Sequence, residues 1–214
     1  MTAEKEQDIV TEQGNPRHPE GEAGAQMLAR MNESHAAVTE WALGFFQMQP
    51  DDDVLDIGCG GGATLARLAG RVPEGHLTGL DYSEVSVEAT RRYNPVLIET
   101  DRLDVLQGSV EQMPFDDESF DRIVTVESFY FWPDPEANLC EVRRVLRTGG
   151  QFLLVADIYD TPDLSAEERA NIERYELQNP TPEEFQRLFQ AAGFREIAIH
   201  TQPGTHWICV EGRR

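Results

Sequence analysis

The sequence predicts a doubly wound α/β fold: a mainly parallel, seven-stranded sheet with helices on both faces, closed by a C-terminal antiparallel hairpin. Three observations predict it. Short apolar runs alternate with helical-period segments, the order that parallel crossovers require. The run Val54–Ile57 feeds straight into a glycine loop, Gly58-Cys59-Gly60-Gly61-Gly62, and then into a helical pattern. Two β-prone runs near the C-terminus flank Pro203-Gly204, as the arms of a hairpin do.

Residues 1 to about 24 mix Gly14, Pro16, Pro19, Gly21 and Gly24 with charges and read as an irregular arm. From 26 to 48 apolar residues fall at helical spacing in two groups, separated by the polar break Asn32-Glu33-Ser34. Residues 1–50 therefore read as an arm and helical cap or lid, and 51–214 as the main domain, within one single-domain protein. Strand one is Val54–Ile57, with its helix over 64–69. Strand two covers 76–80 and ends at Asp81, and Ser83 is placed to cap a helix over Glu84–Tyr93. Leu103–Gln107 and 122–126 read as strands three and four. A helix over 136–146 is expected to stop at Thr148-Gly149-Gly150, ahead of strand five at 151–156. A charged helical insertion over 165–178 and a helix over 182–192 precede the two hairpin runs, 196–200 and 205–210.

Composition narrows the function classes. The chain carries 39 acidic against 18 basic residues, a formal net charge of -21. Such a surface repels phosphate backbones and anionic lipid, and the densest basic cluster, Arg143, Arg144 and Arg147, lies in an amphipathic helical pattern. Neither a nucleic-acid nor a membrane partner is expected. No stretch has the apolar core of a secretory signal or the length of a spanning helix, so a cytoplasmic protein is expected. Cys59, Cys140 and Cys209 are odd in number and lack a CxxC pair, which predicts free thiols and no metal site.

The glycine loop lies where open α/β sheets bind ligands, at the carboxyl end of a strand. Small residues there allow close backbone approach to a ligand. Gly58, Gly60 and Ala63 satisfy the relaxed dinucleotide fingerprint, and Asp81 stands at about the spacing of a ribose-gripping acid. A nicotinamide-dependent oxidoreductase is thus one reading. Asp56, two residues before the first glycine, argues for another. Its carboxylate suits a cationic amino group and repels a pyrophosphate, so it favours S-adenosylmethionine.

From Val54 to about Val155 the chain resembles the class I S-adenosylmethionine-dependent methyltransferases of the methyltransferase domain 11 type. VLDIGCGGG matches that family's first motif, and GLDYS carries the acid after the second strand. GSVEQMPFDDESFDRIV resembles its third-strand loop and fourth strand, and LRTGGQFLLV the entry to strand five. The resemblance implies a Rossmann-like fold and transfer of a methyl group to a small-molecule acceptor. It implies that Asp56, Gly58, Cys59 and Gly60 hold the methionine portion, Asp81 the ribose hydroxyls, and that Tyr82 packs near the adenine. Ser109 and Val110 would border the adenine, and Glu127, after strand four, would be a further cofactor-binding residue. Many relatives carry an acid where Ser109 stands, so its hydroxyl or Glu111 takes that place here.

Strand four runs into Glu127-Ser128-Phe129-Tyr130-Phe131-Trp132-Pro133, an aromatic cluster beside the expected cofactor. Tyr130 and Trp132 are expected to meet the cleft, with Phe129 and Phe131 packed beneath the next helix. Tyr159, Asp157, His18, His35 and Trp41 are further candidates for the acceptor side. Methyl transfer from a sulfonium needs alignment above all, so no residue is assigned as catalytic. A hydroxyl or carbon acid would draw on His18, His35 or Glu127 as base. A non-enzymatic cofactor-binding relative is the third reading. Oligomeric state is left open between monomer and homodimer.

Overall fold

The structure is a computed structural model and describes residues 11–214. It contains a seven-stranded sheet in the order β3-β2-β1-β4-β5-β7-β6. The strands are β1 (Val54–Ile57), β2 (Leu77–Asp81), β3 (Leu103–Gln107), β4 (Phe120–Val126), β5 (Leu146–Ala156), β6 (Arg195–Thr201) and β7 (Ile208–Arg213). The first five pair in parallel, and β7 runs antiparallel between β5 and β6. The order reverses between β1 and β4, so a crevice opens at their carboxyl ends.

Two apolar layers cover the sheet, and the period-two pleat sorts residues between them. Phe152, Leu154 and Ala156 face one layer, packed with Leu139, Val142, Phe185 and Phe189. Those side chains come from α6 (Pro135–Val145) and α8 (Pro182–Ala191). Leu153 and Val155 face the other layer, which holds Val38, Ala42, Leu65, Leu68 and Val87. Its helices are α2 (Ala36–Ala42), α3 (Ala63–Ala69) and α4 (Glu84–Tyr93). Strands buried on both faces need such near-continuous apolar runs. The Ser83 cap of α4 is present, its side chain accepting from the Ser86 amide at 3.3 Å.

Four boundaries differ most from expectation, the last hairpin strand among them: it runs Ile208–Arg213 rather than over 205–210. The arm reading of residues 1–24 lies partly outside the described residues, but 11–14 are helical and α1 (Gly21–Ser34) already includes Gly24. Gly24 is there for closeness rather than irregularity: a Cβ on it would lie 2.9 Å from the Pro19 carbonyl carbon. The polar residues 32–34 stay helical and the break falls at His35, while the Asn32 side-chain amide donates to the glycine loop. Thr148-Gly149-Gly150 does not stop a helix. α6 ends at Val145, and the two glycines lie inside β5, where their backbone pairs with Arg214. Gly149 takes φ +82 at this irregularity between β4 and β5.

Two further helices were not legible: α5 (Pro95–Glu99), and a 3₁₀ turn over Phe129–Phe131. The charged insertion is α7 (Ala166–Arg174), started by a Ser165/Glu168 capping box.

Candidate functional site

At the carboxyl ends of β1, β2 and β4 lies a cavity of about 340 Å³. Its floor is the glycine loop, which is built to stay in one shape. The amides of Gly58 and Cys59 donate to the Leu80 carbonyl at 2.7 and 3.2 Å. Thr90 Oγ1 donates to the Gly60 carbonyl at 2.9 Å, and the Asn94 amide to the Gly62 carbonyl at 3.0 Å, so α4 holds the loop from behind. At Gly58 any side chain is excluded twice, by φ +72 and by Ser128, whose Cβ would lie 2.4 Å from an added Cβ.

Asp81 ends β2 against this loop. Its Oδ2 accepts from the Gly60 amide at 3.0 Å and its Oδ1 from the Ser83 amide at 2.9 Å. Burial raises the Asp81 pKa, and those two amides oppose the rise. Asp56 is buried one layer behind the lining residues, and its Oδ2 has no hydrogen-bond partner. Burial, with the Asp81 charge adding to it, pushes its carboxyl up to about 8. An orphaned carboxylate oxygen next to a second acid is a place where a cationic group offsets an otherwise uncompensated desolvation.

The sequence-predicted residues mostly converge. Gly58, Cys59, Gly60, Asp81, Tyr82, Ser109, Val110, Glu127 and Trp132 all line the cavity. Ser109 and Glu111 act as a pair, the hydroxyl donating to Glu111 Oε2 at 3.1 Å. Cys59 is a buried thiol 3.4 Å from Thr90 Oγ1, with its pKa pushed up mainly by burial.

The aromatic segment is arranged differently from expectation. Phe129 is in the core as expected, but Phe131 lines the cavity and Tyr130 does not. The 3₁₀ turn accounts for this swap, because three residues per turn rotate successive side chains off the strand alternation. Tyr130 is buried, and its Oη lies 3.1 Å from both Glu127 Oε2 and Asp157 Oδ1. Tyr159 packs on the apolar layer under β5 instead of lining the cavity, where the Asp160 amide ties this segment to the Pro180 carbonyl. His18 stacks on Tyr82, with ring centroids 4.9 Å apart and planes 13° from parallel, which puts it on the Tyr82 side of the site. Trp41 packs against Phe45 and Trp207, away from the cavity.

Arg17, Leu28, Met31 and Asn32 line the cavity although the sequence does not mark them as site residues, and they join His35 and Glu127, which it does. The segment before α1 and α1 itself close over the loop: Asn32 Nδ2 donates to the Gly61 carbonyl at 3.0 Å, and Ser83 Oγ to the Pro19 carbonyl at 2.6 Å. Arg17 lies over the Phe131 ring at 5.7 Å. His35, at the junction of α1 and α2, lines the far wall with Met31 and Leu28. Burial lowers the His35 pKa, while the Asp157 charge opposes that fall. Glu127 takes φ +56, and burial followed by the Asp157 charge raises its carboxyl well above the usual range.

This crevice, with its rigid glycine loop and paired acids, defines a nucleotide-type cofactor protein. Residues 55–154 match the methyltransferase domain family. A 2-methyl-6-phytyl-1,4-hydroquinone methyltransferase of Oryza sativa subsp. japonica is 32% identical over 146 residues, covering 68% of this chain and 42% of that protein. A sterol 24-C-methyltransferase of Gibberella zeae is 38% identical over 121 residues, 55% of this chain and 32% of that one. Among solved structures, an S-adenosylmethionine-dependent methyltransferase of Aquifex aeolicus superposes with a TM-score of 0.72 at 19% identity. That match covers 88% of this chain and 97% of that one. A putative methyltransferase of Haloferax volcanii, solved with its Trm112 activator, gives 0.75 at 23% identity over 87% and 92% of the two chains. The chain spans less than half the length of the rice and fungal relatives. It carries a class I S-adenosylmethionine-dependent methyltransferase domain, and S-adenosylmethionine is the cofactor of that class.

Proposed function

We propose that the protein transfers a methyl group from S-adenosylmethionine to a small-molecule acceptor that has an apolar body and a hydroxyl or activated carbon. The observation that carries the reading is the pairing of Asp56 and Asp81 around the glycine loop. A cationic amino acid and a ribose diol suit these two acids, whereas a pyrophosphate placed there meets two carboxylates. The nicotinamide alternative gains no support from the relatives, which are methyltransferases.

In this reading the cofactor supplies an activated methyl on a sulfonium. Asp56 offsets the ammonium, and the backbone of Gly58, Cys59 and Gly60 lies along the methionine portion. Asp81 accepts from the ribose hydroxyls, Tyr82 packs near the adenine, and Ser109, Val110 and Glu111 border its edge. The segment 16–35 acts as a lid that excludes water and aligns the two reactants. Leu28, Met31, Phe131, Trp132 and Pro133 form an apolar wall that would hold the acceptor body. The rice and fungal relatives are named for a hydroquinone and a sterol, which fit that description. Base candidates narrow to His35 and Glu127, because His18 is stacked on Tyr82. A net charge of -21 disfavours polyanionic acceptors.

The test has two stages. Calorimetric titration with S-adenosylhomocysteine should give saturable binding in the micromolar range, about −8 kcal/mol, with none for NADH. Methyl-labelled cofactor is then offered with prenylated quinols, sterols, fatty acids and mixed metabolite extracts. Label in an organic-extractable product supports the reading; tight homocysteine-analogue binding with no labelled product across the panel would leave a binding protein instead.

A further inference from the structure

β4 and β5 are parallel neighbours, registered Val126↔Val155. The residues that follow each strand therefore emerge side by side at the carboxyl edge, and here they are Glu127 and Asp157. Tyr130 fixes the pair. Its Oη accepts from the amides of Asp157 and Ile158, at 3.0 and 3.3 Å, and lies 3.1 Å from one oxygen of each carboxylate. A phenol has one proton, so it donates to only one carboxylate at a time. From the opposite wall, His35 brings a ring nitrogen to the same point. One ligand atom from each of His35, Glu127 and Asp157 lies within 4.8 Å of the others.

One buried atom points to a ligand at this cluster. Glu127 Oε1 is shut off from solvent and has no hydrogen-bond partner. The backbone of Glu127 is held at φ +56, a strained conformation for a glutamate. Of the charges acting on His35, that of Asp157 raises its pKa and that of Arg30, whose Nη2 donates to Thr11, lowers it.

We propose that His35, Glu127 and Asp157 form a divalent-cation site at the acceptor end of the cavity, with Tyr130 as the positioning residue that holds the two carboxylates. One imidazole and two carboxylates are a hard-to-borderline set, suited to Mn²⁺, Mg²⁺, Fe²⁺ or Zn²⁺ and unsuited to soft ions. A cation there neutralises the two acids, occupies the free Glu127 oxygen and leaves coordination positions open. Those positions suit a chelating acceptor with two adjacent oxygens, such as a vicinal diol or a hydroxy-carbonyl compound. That last step alone rests on the methyltransferase reading; the cation site does not. The sequence places His35, Glu127 and Asp157 each near the cleft, but nothing in it shows that they meet, because they come from three separate segments.

The test uses the full chain, stripped with a chelator and titrated with MnCl₂ by calorimetry and by loss of the free-ion EPR signal. One saturable Mn²⁺ per chain is expected. His35→Ala, Glu127→Gln and Asp157→Asn should each weaken it by about tenfold or more, and Tyr130→Phe by a comparable factor. Glu99→Ala, on the exposed surface, should leave it unchanged. S-adenosylhomocysteine titration of each variant reports whether the fold and the cofactor half survive. Absence of saturable binding below about 1 mM, or binding that all four variants retain, overturns the proposal. Mn²⁺ binding without homocysteine-analogue binding upholds the cation site and removes the cofactor reading.

Discussion

The amide of Gly60 donates to Asp81 Oδ2 across 3.0 Å, joining the β1 loop to the acid that ends β2. One contact thus sets both the shape of the glycine floor and the direction of the carboxylate. Several measurable consequences follow from that coupling and from its surroundings.

Asp81→Ala should weaken S-adenosylhomocysteine binding by roughly 10- to 150-fold, the range for a lost charge-assisted hydrogen bond of about 1.5–3 kcal/mol. Glu99→Ala, exposed on α5, should change it by less than about twofold. Equal effects in calorimetry would remove Asp81 from the ribose.

Gly58→Ala should destabilise the fold by about 1–3 kcal/mol, since it adds left-handed strain at φ +72 to a clash with Ser128. Ser128→Gly in the same chain should recover only part, because it relieves the clash and not the backbone. Urea unfolding of Gly58→Ala, Ser128→Gly and the double variant separates the two costs.

Burial holds Asp56 at about 8 in the folded chain, against about 4 when unfolded. Between those values the folded state keeps a proton that the unfolded state has lost, so stability falls as pH rises from about 4 to about 8. Asp81 and Glu127 are shifted in the same sense. Asp56→Asn should therefore shallow the slope without abolishing it, read from urea midpoints across that range. A cationic ligand should also expel the Asp56 proton. Titrations near neutral pH in buffers of different ionisation enthalpy should show proton release that shrinks in Asp56→Asn.

Tyr82→Phe should keep cofactor affinity, because the stack with His18 needs only the ring. Tyr82→Ala should lose about 2- to 12-fold, the equivalent of roughly 0.5–1.5 kcal/mol for an aromatic pair.

Saturating S-adenosylhomocysteine should slow tryptic cleavage at Arg17, in the segment that Ser83 and Asn32 tie to the loop. Asn32→Ala should reduce that protection. Cleavage at an unchanged rate with ligand bound would show that 16–35 is no lid.

The sequence alone determined the sheet, its hairpin and the residues that gather at the glycine-loop end of the cavity. Those features rest on local physics: period-two burial sorts Leu153 from Leu154, and glycines stand where positive φ and close approach allow nothing else. Even so, Thr148-Gly149-Gly150 misled, because a glycine pair that ends a helix and one that bends a strand look alike until Arg214 is seen pairing with it. The opposite end of the cavity was decided by tertiary structure. A 3₁₀ turn exchanged Tyr130 for Phe131 at the cavity wall, and strand register together with the α1–α2 junction brought His35, Glu127 and Asp157 to one point. No spacing in a one-dimensional chain encodes such a meeting, because it depends on which strands become neighbours and on where a cap helix folds back.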